Sequence, residues 1–180
     1  MMRYVAALIL FFLFFPTPSR AQTYDHWVAN CRSYKDVAVW LSENFRYDPN
    51  GSGKVSGKPT RKQLNGKGKE EIFRYRTGCS LNASLFAKET LNRINPDYRA
   101  NLVHLSWDRS AVHYLCGFYV GQRLYIMDYW NPQENLRGTH GPFEDLKDCV
   151  QRIYLRHHPG PSKAIRYAFG MAPGHSPNPR

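Results

Sequence analysis

Two runs with apolar residues alternating along them, residues 111–120 and 123–129, stand on either side of Gly121-Gln122. A period of two marks strands that bury one face. A glycine at the first of two loop positions suits a type II′ turn, so the segment predicts a β-hairpin. The turn then fixes the register: Val120 faces Arg123, Leu115 faces Asp128 and His113 faces Trp130. In that register His113 and Asp128 are diagonal neighbours on one face, within side-chain reach. Asp128 continues the line of Leu124 and Ile126, which is apolar. A carboxylate on such a face needs a partner, and His113 is the one the register supplies. A lone strand histidine is more often a satisfied core residue; an acid on the same face moves the reading toward catalysis.

Cys79 lies between Gly78 and an apolar, helix-periodic stretch over 79–92, with Thr77-Gly78 able to cap its start. A helix start carries unpaired N–H groups and positive partial charge. Both favour thiolate over thiol, which activates the sulfur, and the same N–H groups suit an oxyanion on an attacked carbonyl. Gly78 leaves room where a substrate approaches. The alternative is a core cysteine on an apolar helix, which a first-turn position directly after glycine weakens. The expected roles are Cys79 as nucleophile, His113 as its base and Asp128 as the residue that orients the base.

A Gly-Cys pair at a helix start, then a strand His, then an Asp closing the next strand resembles the transglutaminase-like superfamily. The bacterial transglutaminase-like cysteine peptidases are the nearest type. The resemblance spans roughly residues 37–130 and is carried by Gly78-Cys79, Ala83, His113 and Leu124-Tyr125-Ile126-Met127-Asp128. An upstream helix running into an aromatic-basic-Tyr stretch is echoed by Val39-Trp40-Leu41-Ser42-Glu43-Asn44-Phe45-Arg46-Tyr47. It departs from many members in having Ser80-Leu81-Asn82 where an acidic residue follows the cysteine, and Tyr114 after the histidine. The resemblance implies an α+β fold with a papain/transglutaminase-like core, the nucleophile helix packed on a small antiparallel sheet, and thioester chemistry; no cofactor and no metal are expected. It also implies a second oxyanion donor upstream of the cysteine, for which Tyr75 is the residue in place.

The rest of the chain bounds this reading. Residues 1–21 read as a secretory signal peptide: a positive start at Arg3, an apolar run over 5–15, and Ser19-Arg20-Ala21 at the cleavage point. The run is well short of the ~20 residues a membrane helix needs. One catalytic domain is expected over 22–157, with a Pro/Gly-rich tail over 158–180 and a flexible basic loop over 50–70. From 51 to 69 that loop carries Lys54, Lys58, Arg61, Lys62, Lys67 and Lys69 and no acidic residue. It is not a phosphate loop, because Ser52 stands where a glycine is required before Gly57-Lys58, and Pro59 stands in place of the metal-binding hydroxyl. Further helices are expected over 27–45 and 142–155, and a strand over 102–107.

Four cysteines, Cys31, Cys79, Cys116 and Cys149, admit two disulfides, or one nucleophile, one disulfide and one buried thiol. Cys116 falls on the hairpin face opposite His113 and reads as a small buried residue. A Cys31–Cys149 disulfide would tie the first and last predicted helices. His140, His157 and His158 lack the ligand spacing of a metal site. Trp130 is expected in the core or beside His113 in the cleft. Asn82-Ala83-Ser84 matches a glycosylation pattern in a place where a glycan would clash. The net charge of +11 favours acidic partners and does not by itself imply nucleic acid.

The function expected is that of a secreted or periplasmic cysteine hydrolase or acyltransferase acting on peptide or glutamine-type amides. Its partners would be a protein or peptide substrate and, through the basic loop, an acidic surface or protein, with no stable membrane span. The alternatives are an NlpC-type wall-peptide amidase and an inactive secreted basic binding protein.

Overall fold

The computed structural model describes residues 22–48, 68–107, 111–131, 133–157 and 165–170. The expected signal peptide, nearly all of the basic loop, and residues 158–164 and 171–180 of the expected tail lie outside the described residues.

The hairpin forms in the expected register. Strands β4 (Ala111–Val120) and β5 (Arg123–Asp128) pair antiparallel with Val120 opposite Arg123, Phe118 opposite Tyr125 and Cys116 opposite Met127. Gly121 opens the turn at φ +62°, a value that glycine adopts without steric cost. Three further strands complete an antiparallel sheet in the order β6-β5-β4-β3-β7: β3 (Asn101–Trp107), β6 (Gly138–Phe143) and β7 (Arg166–Phe169). Helices and this sheet together make an α+β fold.

Both faces of the hairpin are covered, which is why its strands are so apolar. One face carries His113, Leu115, Leu124, Ile126 and Asp128, all buried. The other carries Cys116, Phe118 and Met127, also buried. The rings of Tyr34 and Tyr98 lie on Phe118 at 5.2 and 5.9 Å. Each fully buried Leu, Ile or Phe side chain contributes roughly 1.5–3 kcal/mol.

The single helix expected over 27–45 is two helices, α1 (Tyr24–Asn30) and α2 (Tyr34–Asn44). The break is local chemistry. Ser33 and Asp36 form a capping box, with the Ser33 N–H donating to Asp36 Oδ2 at 2.9 Å, and this restarts the helix. The two helices fold toward each other, so Trp27 and Trp40 meet at 5.5 Å and both contact Phe73 and Phe86. Phe73 belongs to α3 (Lys69–Tyr75), which absorbs the last two residues of the expected basic loop. Phe86 belongs to α4 (Ser80–Ile94), close to the expected 79–92, and this helix lies along β4.

The expected helix over 142–155 is corrected. Pro142 lies in edge strand β6, where a missing N–H is tolerated. The helix starts only at α5 (Leu146–Cys149), capped by Asp145, whose side chain accepts from the Asp148 N–H at 2.8 Å. It continues as a wide π-helical turn (Val150–Tyr154) and a 3-10 turn (Leu155–His157). The segment assigned to the tail also contributes to the domain. Strand β7 pairs with β3, and Ile165 just before it is buried. Gly117 makes this possible, since a Cβ there would lie 2.7 Å from the Phe169 ring.

Candidate active site

The hairpin register brings His113 to Asp128. Nε2 of His113 lies 2.9 Å from Oδ1 and 3.0 Å from Oδ2 of Asp128. Asp128 is fully buried and His113 is 7% exposed. Oδ2 accepts two more hydrogen bonds, from Asn131 Nδ2 at 2.7 Å and from the Tyr154 hydroxyl at 2.9 Å. Three donors thus satisfy a carboxylate that is wholly buried, as a buried charge requires. Burial, and after it the charge of Asp128, pushes the Tyr154 phenol well above its ordinary range, so it stays a donor. Trp130 closes the turn after β5. It is fully buried, donates from Nε1 to the Tyr114 carbonyl at 2.6 Å, and meets Phe45 edge-on at 6.3 Å. Of its two expected places, it takes the core.

Cys79 is the N-cap of α4, with extended backbone. The strand before it, β2 (Thr77–Gly78), pairs parallel with β1 (Arg46–Tyr47), and the Asp48 N–H donates to the Gly78 carbonyl at 3.0 Å. Phe45, which leads into β1, touches Trp130, whereas Tyr98, just past the end of α4, sits on Phe118. The chain just past α4 therefore lies against Phe118, toward the Gly121 turn of the hairpin. Asn82 Oδ1 accepts from both the Cys79 N–H and the Cys79 thiol, at 3.1 Å each. The hydrogen bond of the sulfur thus goes to Asn82. The Cys79 N–H, one of the expected oxyanion donors, is engaged by the same oxygen.

Gly78 packs closely against α4 and α3. It is buried, and a Cβ there would lie 2.9 Å from Asn82 Cβ and 3.1 Å from Ile72 Cδ1. The missing side chain makes room for the residue that caps Cys79.

The other expected residues are distributed as follows. Tyr75 ends α3, four residues before Cys79, and is 57% exposed. All four cysteines are free thiols, so the expected Cys31–Cys149 disulfide is not formed. Cys31 follows α1 and its thiol donates to the Trp27 carbonyl at 3.5 Å, while Cys149 is buried in α5 with Asp148 and Asp128 nearby. Burial, then the Asp36 charge, pushes the Cys31 thiol up to about 11. Burial, then Asp148 and Asp128, pushes Cys149 up to about 12, and burial raises Cys116 as well. Cys116 is the buried thiol expected. Asn82 is buried, which closes that glycosylation pattern to a glycan. His140 bonds the Leu136 carbonyl at 2.8 Å, and among the described residues no group of three metal-ligating side chains occurs. No helix of the described residues is long and apolar enough to cross a membrane.

Sequence reasoning missed three residues. Asn82 carried a signal, the third position after an N-cap, where a side chain reaches back to the cap. Asn131, three residues past Asp128, carried a weaker one. Tyr154 carried none, since its aim depends on the wide turn. Comparison with protein-family models and with curated proteins finds no match to this chain.

Proposed function

We propose that the protein is a cysteine hydrolase or acyltransferase of the transglutaminase-like type, acting on peptide or glutamine-type amides from the exported side of a membrane. The observation that carries this reading is the buried His113–Asp128 pair, and Cys79 at the start of α4 is the thiol assigned to it. A papain-like core, with α4 as nucleophile helix against the antiparallel sheet, belongs to the same proposal.

Asp128 holds His113 through Nε2, so the other ring nitrogen, Nδ1, exchanges the proton with sulfur. The Cys79 thiol first leaves Asn82. An S–H group is a weak donor, so this exchange costs little. His113 takes the thiol proton as the sulfur attacks the carbonyl carbon. The tetrahedral intermediate collapses, the C–N bond breaks, and the amine leaves with the proton from the imidazolium. Water, activated by the neutral imidazole, then attacks the thioester and regenerates the thiol. An amine in place of water makes the reaction a transamidation.

The test is turnover of labelled casein and of glutamine-containing peptides by the native protein, Cys79→Ser and His113→Ala. Hydrolysis or amine incorporation lost in both variants supports the reading. Activity confined to purified peptidoglycan favours the wall-amidase alternative. Unchanged turnover in Cys79→Ser refutes the thiol mechanism.

A further inference from the structure

We infer that Tyr154 and Asn131 are positioning residues for the His113–Asp128 pair, so that the C-terminal helical segment sets the histidine tautomer. The inference rests on the proposed triad. Both residues donate to the same oxygen, Oδ2 of Asp128, at 2.9 and 2.7 Å. The orientation of the Asn131 amide is fixed independently, because its Oδ1 accepts from the Gln133 N–H at 2.9 Å. Its nitrogen must then face the carboxylate. Rotation of the Asp128 carboxylate about its own bond would break both contacts. The carboxylate is therefore held in the plane that accepts from His113 Nε2, which keeps the proton on Nε2 and leaves the basic lone pair on Nδ1.

Tyr154 reaches this position through irregular backbone. It is the last residue of the turn Val150–Tyr154, whose i+5 spacing interrupts the helix begun at Leu146. One inserted residue rotates everything after it by about 100° around the helix axis. Without the wide turn the Tyr154 ring would point elsewhere. Among the described residues, the titratable groups around Asp128 include His113, Tyr154 and Cys149, and the last two are kept neutral chiefly by burial.

The experiment is ¹⁵N NMR of the His113 ring at neutral pH in the full protein, with His113→Gln assigning the signal, alongside kcat, KM and Tm. Tyr154→Phe removes one hydroxyl and little else; Asn131→Ala removes the second donor and covers the case in which Tyr154→Phe does not fold. The expected result is a nearly exclusive Nε2–H tautomer in the native protein and a clear rise of the Nδ1–H form in either variant. Where turnover is present, kcat falls on the order of tenfold with KM unchanged. A lower Tm with unchanged tautomer populations overturns the inference and leaves the two groups structural. A tautomer shift in a protein with no turnover retains the positioning role and removes the amide chemistry instead.

Discussion

Replacing Asp128 with asparagine separates what the carboxylate does for the fold from what it does for the histidine. In the native protein Oδ2 accepts from Asn131 and Tyr154, and Oδ1 lies 2.9 Å from His113 Nε2. An asparagine that keeps its carbonyl oxygen at the Oδ2 position satisfies both outer donors. Its amide nitrogen then faces His113, and an N–H donor there forces Nε2 to become the acceptor. The imidazole responds by moving its proton to Nδ1, the nitrogen that the mechanism needs unprotonated. Every buried group still has a partner, so only charge assistance is lost, about 1–2 kcal/mol. Asp128→Ala strands three buried donors and costs about 3–5 kcal/mol. At roughly 2–4 °C per kcal/mol for a fold of this size, the two variants differ clearly in thermal unfolding. Activity ranks differently: Asp128→Asn loses about a thousandfold to ten-thousandfold in kcat through the wrong tautomer. Urea titration and turnover on the same samples check both halves. Asp128→Asn that is as unstable as Asp128→Ala, or that keeps kcat within threefold, refutes the reasoning.

Other perturbations follow from the same packing. Gly78→Ala puts a methyl 2.9 Å from Asn82 Cβ, displaces the cap of Cys79, and costs about 1–3 kcal/mol; urea unfolding measures the loss, and native stability would contradict it. Gly117→Ala pushes on the Phe169 ring and on Val103, so β7 loosens first; faster amide exchange at residues 166–169 than elsewhere in the sheet is the expected sign. His104 is 5% exposed, its Nδ1 has no hydrogen-bond partner among the described residues, and burial holds its imidazole below the ordinary value. The unfolded chain therefore takes up this proton first. The contribution of His104 to stability is full above about pH 6.5 and is lost as pH falls toward the folded value. His104→Phe should flatten the acid slope of stability by up to about 1.4 kcal/mol per pH unit, and equal slopes in both proteins would refute the assignment.

Much of the site was legible because short-range rules governed it. The turn at Gly121 and the period of two fixed which residues share a face, and the His113–Asp128 contact followed. The start of α4 at Cys79 was equally local. What was not legible depended on competition between local signals or on distant chain. Apolar periodicity continued across 27–45, but the Ser33–Asp36 capping box overrode it. Pro142 looked like the first turn of a helix and instead sits in an edge strand. Tyr154 reaches Asp128 only because a wide turn redirects it, and no residue pattern announces that turn. That Gly78 accommodates Asn82 and Ile72 depends on packing that its sequence neighbours do not announce. A Cys31–Cys149 pairing suits two cysteines near the ends of the domain, whereas both are free thiols, Cys31 on a carbonyl of α1 and Cys149 in the core beside Asp128.

The central claim is that His113 activates the Cys79 sulfur, and the most direct measurement is site-resolved alkylation of the native protein by iodoacetamide at pH 7.5. With its thiol pushed up to about 11, Cys31 has a thiolate fraction on the order of one in three thousand at that pH, and buried Cys116 and Cys149 are slower still. The account predicts rapid, selective labelling of Cys79 that drops sharply in His113→Ala while the other thiols keep their native rates. Labelling of Cys79 no faster than Cys31, or unaffected by His113→Ala in a folded protein, would contradict it.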